Sequence, residues 1–86
     1  MKKVRKNFIN HLIEKFEKKE PYSENEKGLF FAKDKNRFIA CDNTNGDCFV
    51  EDFKHLWAVH DYLHTTKPLE VIQEEDNTRK YSREEY

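Results

Sequence analysis

Apolar residues along this 86-residue chain change their spacing twice, and that change limits the folds open to it. Val4, Phe8, Ile9, Leu12, Ile13 and Phe16 recur at the steps of one helical face, with Lys6, Asn10, Glu14, Glu17 and Lys18 filling the opposite side. Between Leu29 and Phe53 the apolar residues gather instead into short runs bounded by turn residues, the signature of strands. Phe53, Leu56, Trp57, His60 and Leu63 then return to helical spacing, with Val59 and Tyr62 at the margin of that face. The order is α-β-β-β-α. It predicts an α+β domain in which an N-terminal helix and a second helix cover one face of a three-stranded antiparallel β-meander.

Local signals set the boundaries. The spacing predicts a helix over residues 5–19, stopped at Glu20-Pro21 because proline disfavours helical geometry in the residue before it. Leu29-Phe30-Phe31-Ala32 reads as the first strand, Arg37 to Asp42 as the second, and Cys48-Phe49-Val50-Glu51 as the core of the third. Asp34-Lys35-Asn36 supplies turn chemistry between the first two. Asn45-Gly46 is a strong hairpin signal, since both residues accept a positive φ. A two-residue turn there sets Cys41 opposite Val50 and Asp42 opposite Phe49, and places Ile39, Cys41, Cys48 and Val50 on the face turned to the helices. The second helix is expected over residues 53–65 with Asp52 as its N-cap, ending at Thr65-Thr66-Lys67-Pro68. Leu69, Val71 and Ile72 suit a short edge strand or a packed clip. Residues 1–73 thus form a single domain, and residues 74–86 a polar, flexible tail on which Tyr81 and Tyr86 are the candidates for docking.

A chain this short buries only about 60% of the surface it exposes when unfolded. With 36% hydrophobic residues against 38% charged, the seven Phe, four Tyr and one Trp must supply most of its core. Residues lining a deep substrate cleft would be lost to that core, which argues for binding rather than catalysis. No apolar run approaches the 18 residues of a membrane span, and the Met1-Lys2-Lys3 start lacks the continuous apolar stretch of a signal peptide. Two cysteines make no disulfide framework, so reduced thiols in a cytoplasmic setting are expected. The net charge of −1 conceals a gradient: +4 over residues 1–20, −2 over 21–69 and −3 over 70–86.

Several residue groups carry candidate chemistry. Cys41, Cys48, His60 and His64 present two thiols and two imidazoles in ββα order, the order in which a zinc finger supplies its ligands. Six residues separate the cysteines, however, where a zinc knuckle allows two to four, so core packing is the expected role and no metal or other cofactor is assigned. A disulfide between Cys41 and Cys48 is a further alternative. A nucleophilic pairing of Cys41 or Cys48 with His55 or His60 lacks an electropositive setting, because Asp47, Glu51 and Asp52 flank Cys48.

Asp42, Asp47, Glu51 and Asp52 surround the hairpin, and Glu74, Glu75 and Asp76 follow in the tail. These seven are the candidate partner-binding residues, able to imitate nucleic-acid phosphates in a basic groove. A solvated strand edge that resists pairing is the competing account. Asp42-Asn43-Thr44-Asn45-Gly46 has the look of an EF-hand loop, but a strand precedes it and Phe53 stands where the bidentate glutamate belongs. Lys2, Lys3, Arg5 and Lys6 have no interleaved aromatics, so direct nucleic-acid binding is not expected of them. Phe30, Phe38 and Phe49 would require a partner or a second copy as cover if they shared an exposed sheet face.

The stretch from Asp42 to Phe53, followed by an amphipathic helix, resembles a hairpin-plus-helix pattern of small accessory proteins of bacteriophages and mobile elements of low-GC Gram-positive bacteria. The resemblance spans about residues 28–64 and carries no individual functional residue. It implies a non-catalytic cytoplasmic protein that binds a host defence protein, with anti-CRISPR inhibitors of RNA-guided nucleases as the most concrete case. The alternatives are a zinc-stabilised nucleic-acid-binding module and a homodimeric accessory protein.

Overall fold

The computed structural model describes residues 1–78, and the remainder of the expected tail, with Tyr81 and Tyr86, lies outside the described residues. The fold is α+β with a four-stranded mixed sheet. Strand β1 (Lys2–Lys3) leads into helix α1 (Lys6–Glu17), a 3-10 turn (Glu24–Glu26), β2 (Leu29–Asp34), β3 (Arg37–Asp42), β4 (Phe49–Phe53), α2 (Leu56–His64) and α3 (Leu69–Thr78). The sheet order is β1-β2-β3-β4. β1 runs parallel to β2, and the other two pairs are antiparallel.

Helices cover both faces of the sheet, not one. Ile9 and Leu12 of α1 pack on Phe30, Ala32 and Cys41, joined by Ile39, Cys48 and Val50. Trp57, Ala58, Val59 and Leu63 of α2 and Ile72 of α3 pack on Ala40 and Phe53, joined by Leu29, Phe31 and Phe38. The reason is written in β2: Leu29, Phe30, Phe31 and Ala32 are consecutive apolar residues, and alternation sends them to opposite faces, so each face needs a cover. Phe30 and Phe38 therefore lie on opposite sides of the sheet, and the face α1 covers is the one that holds Ile39, Cys41, Cys48 and Val50.

The expected register is present, with Cys41 opposite Val50 and Asp42 opposite Phe49. The ladder stops there, however, and residues 43–48 form a wider loop. Gly46 N–H donates to Asn43 O at 3.3 Å, and Cys48 stands outside β4 with φ 50°. Asn43, fully buried, ties this loop to the molecule: its Nδ2 donates to Glu26 O at 2.7 Å, its Oδ1 accepts from Cys48 N–H at 3.0 Å, and its N–H donates to Gly28 O at 2.8 Å.

The helix ends also differ from the sequence reading. α1 closes before proline acts: Glu20 N–H reaches Lys15 O and Lys19 N–H reaches Phe16 O, a Schellman pair with Lys19 at φ 57°. Phe53 belongs to β4, α2 starts at Leu56, and Asp52 caps nothing. Residues Leu69, Val71 and Ile72 belong to a third helix, which runs through the expected tail boundary at 74. Asp76 on α3 is buried at 3% exposure and accepts from the N–H groups of Lys54 (2.7 Å) and His55 (3.0 Å), the residues that lead into α2. A carboxylate from another element thus holds the two residues ahead of α2, whose N-cap position, His55, makes no side-chain cap.

Candidate functional site

β4 is a free edge of the sheet, with β3 as its only strand neighbour among the described residues. Strand alternation distributes its side chains. Phe49, Glu51 and Phe53 point to the side of α2 and α3, together with Asp42 opposite Phe49. Phe53 is buried beneath Tyr62, whose ring centroid lies 5.6 Å away. Phe49 has no such cover and is 58% exposed, the most exposed large apolar side chain among the described residues. Burial, and then the nearby carboxylates of Glu51 and Asp42, push the Tyr62 hydroxyl up to about 12. The site is therefore an exposed phenyl ring on the same sheet face as the carboxylates of Asp42, opposite it on β3, and Glu51, two residues along β4. Paired anions and aromatic faces suit the cationic side chains of a partner, by ion pairing and cation–π attraction together.

The other sequence-predicted acids divide into three environments. Asp47 is exposed in the hairpin loop. Asp52 points to the α1 side of β4 and pairs with Arg37, Nε to Oδ2 at 2.6 Å, so its charge is partly answered within the molecule. Glu74 is exposed on α3, remote in sequence from the hairpin. Glu75 pairs with Lys67 at 2.8 Å, and Asp76 is buried against the start of α2. The seven acids therefore do not share one environment: Glu75 and Asp76 face donors inside the chain, and Asp76 is buried.

The thiols and imidazoles are not brought together. Cys41 and Cys48 pack under α1, while His60 and His64 sit on α2 across the sheet, their rings 5.6 Å apart. Among the described residues, no group of three or more His, Cys, Asp or Glu is placed to hold a metal ion. Burial, and then the neighbouring Cys48, push the Cys41 thiol up to about 12, which suppresses the thiolate a nucleophile requires. Both cysteines are free. Among the described residues, no helix is long and apolar enough to cross a membrane.

One polar cluster escaped the sequence reading. Glu26, the last residue of the 3-10 turn, is buried against α1, where Lys15 Nζ lies 2.7 Å from Oε1 and His11 Nε2 lies 2.6 Å from Oε2. Ser23 N–H donates to Oε1 at 2.8 Å, so Ser23 and Glu26 form a capping box. The signal was present as Ser23-Glu24-Asn25-Glu26, a Ser-x-x-Glu motif, hidden by the absence of an apolar run behind it. The Lys15 bond, then the Ser23 N–H and His11, hold the Glu26 carboxyl down at about 2, against an ordinary 4.5. Because the folded value lies below the unfolded one, this contribution to stability is complete above about 4.5 and is lost as pH falls towards 2. The difference in urea midpoint between wild type and Glu26→Gln is therefore expected to shrink towards zero on acidification from pH 5 to pH 2, as read by tryptophan fluorescence. A difference that stays flat across that range would remove Glu26 from the account.

No family model, curated protein or solved structure matches this chain.

Proposed function

We propose that this chain is a small non-catalytic binding protein that docks the free β4 edge into a basic, nucleic-acid-binding groove of a partner protein. Phe49 is the anchor, and Asp42, Asp47 and Glu51 supply the charge. The observation that carries this reading is the exposed phenyl ring of Phe49, set beside the carboxylates of Asp42 and Glu51 on an unpaired strand edge. Exposed aromatics at the centre of a contact contribute most of an interface's energy, and the carboxylates around them steer the encounter. The partner class follows from the resemblance of residues 42–53 to phage and mobile-element accessory proteins: a host defence protein, with an RNA-guided nuclease as the concrete case and the bacterial cytoplasm as the setting. The zinc-stabilised reading gains no support from a fold that separates Cys41 and Cys48 from His60 and His64.

The test uses the immobilised chain, a bacterial host lysate, and elution with double-stranded DNA. A partner held through its nucleic-acid groove is released by DNA, and Phe49→Ala is expected to weaken its capture by about 30-fold, the effect of losing a central aromatic anchor. The pair Asp42→Lys and Glu51→Lys is expected to abolish capture at physiological salt. Capture that resists DNA, or that survives both sets of substitutions, would overturn the proposal.

A further inference from the structure

The two edges of the sheet carry opposite charge. On one side β1 presents Lys2 and Lys3, both exposed, with Arg5 just beyond it. Lys2 also lines a depression of about 480 Å³ with Lys27 and Gly28. On the other side β4 presents Glu51 and Asp52, with Asp47 just ahead of it in the chain and Asp42 opposite its first residue on β3. Each edge strand has a single strand neighbour among the described residues, so each leaves backbone donors and acceptors for another chain.

The directions of the strands match as well. β1 is parallel to β2, β2 is antiparallel to β3, and β3 is antiparallel to β4, so β1 and β4 run the same way. A second copy shifted along the sheet therefore brings its β1 beside the first copy's β4 as a parallel pair, with the faces preserved. Lys3, level with Phe31, then lies on the same side as Glu51. Lys2, level with Phe30, lies on the same side as Asp52. Pairing like edges instead sets Glu51 and Asp52 against their own copies, or Lys2 and Lys3 against theirs, and is repulsive.

We propose that this chain associates with further copies of itself head to tail, the basic β1 edge of one copy lying against the acidic β4 edge of the next. The contact is heterologous, so it does not close into a symmetric dimer and grows with concentration. β1 is only two residues long, so few backbone bonds form and charge provides most of the attraction. The association is accordingly weak and sensitive to salt. It uses the edge assigned above to a partner but does not rest on that assignment, and it is read without any partner present.

Sedimentation velocity over a concentration series, at about 10 mM and about 0.5 M salt, tests it, since the screening length falls from about 30 Å to a few Å across that range. At low salt the sedimentation coefficient is expected to rise with concentration, and at high salt to stay at the monomer value. Lys2→Glu with Lys3→Glu makes both edges acidic, and Glu51→Lys with Asp52→Lys makes both basic. Each pair is expected to give a monomer at low salt. Combining all four restores complementary edges and is expected to restore association. The fourfold variant keeps the wild-type net charge of −1, so overall charge does not account for its recovery. A wild-type monomer at low salt, association that persists in either half-reversal, or a fourfold variant that is folded by circular dichroism yet monomeric, overturns the proposal. Lys2 and Lys3 lie outside the partner-docking residues, so failure here leaves DNA-releasable capture unaffected, and the reverse holds for Phe49.

Discussion

Replacing Asp76 by alanine is expected to lower the free energy of unfolding by about 2–4 kcal/mol, because it strips a buried acceptor from more than one donor. The carboxylate accepts from Lys54 N–H and His55 N–H, and its Oδ1 also lies 3.0 Å from His55 Nδ1. These are the two residues between β4 and α2, where the chain turns from the sheet into the helix that covers it. Alanine leaves both N–H groups without their acceptor at a part-buried junction, and each unmet buried donor costs about 1–3 kcal/mol. α3 suffers as well, since its buried contacts are Ile72 and Asp76. Domains of this size hold only a small margin of stability, so a loss of this order takes much of it. Asp76→Asn, which keeps one acceptor oxygen, is expected to recover part of the loss, and hydrogen exchange in α3 and at the start of α2 is expected to accelerate in step. An Asp76→Ala protein with a wild-type urea midpoint would mean that the three contacts contribute nothing net.

Asp76 also shows why α3 was misread. Leu69, Ile72 and Asp76 follow helical spacing, and Ile72 and Asp76 are buried, but an acid occupies the position where a periodic pattern shows an apolar residue. With that position reading as polar, the β-branched Val71 and Ile72 suggested a strand. The strands and their register were legible because they depend on local chemistry: Asn45-Gly46 set the symmetry of the hairpin even though the turn itself is wider than two residues. β1 was not legible at all. Lys2 and Lys3 bury nothing, and what makes them a strand is the exposed edge of β2, to which Val4 N–H continues the ladder at 2.8 Å from Phe31 O. No side-chain pattern can report a backbone edge that lies elsewhere in the chain. The two-sided cover of the sheet was legible in principle, since the unbroken run from Leu29 to Ala32 belongs to a strand buried on both faces.

The candidate site divides along the same line. Acidic residues around the hairpin are readable as a charge pattern, but charge alone does not separate Glu51, near an exposed Phe49, from Asp76, buried against the residues that lead into α2. Burial decides, and burial is a property of the assembled layers. The opposite charges of β1 and β4 became meaningful only when the topology placed them at opposite edges of one sheet.

Asn43→Ala is expected to cost a similar amount, about 2–4 kcal/mol, and to impair binding in addition. The side chain is fully buried, donates to Glu26 O and accepts from Cys48 N–H, so alanine leaves both an acceptor and a donor unmet. Cys48 holds φ 50°, a left-handed conformation that costs a non-glycine residue about 1–2 kcal/mol. The Asn43 bond to its N–H is what keeps it there. Without that bond the loop from 43 to 48 relaxes, Phe49 and Asp47 lose their placement, and capture of a partner through β4 falls even where the rest of the sheet remains folded. Asn43→Asp separates the two roles: its carboxylate still accepts from Cys48 but sets a negative charge against Glu26 O, so the loop is retained while stability drops. Thr44→Ala, one position along in the exposed part of the same loop, serves as the control and is expected to lie within about 0.5 kcal/mol of wild type. If Asn43→Ala were as stable as Thr44→Ala in urea, the hairpin base would be held by its backbone pairing to Gly28 alone, and the placement of Phe49 would need another cause.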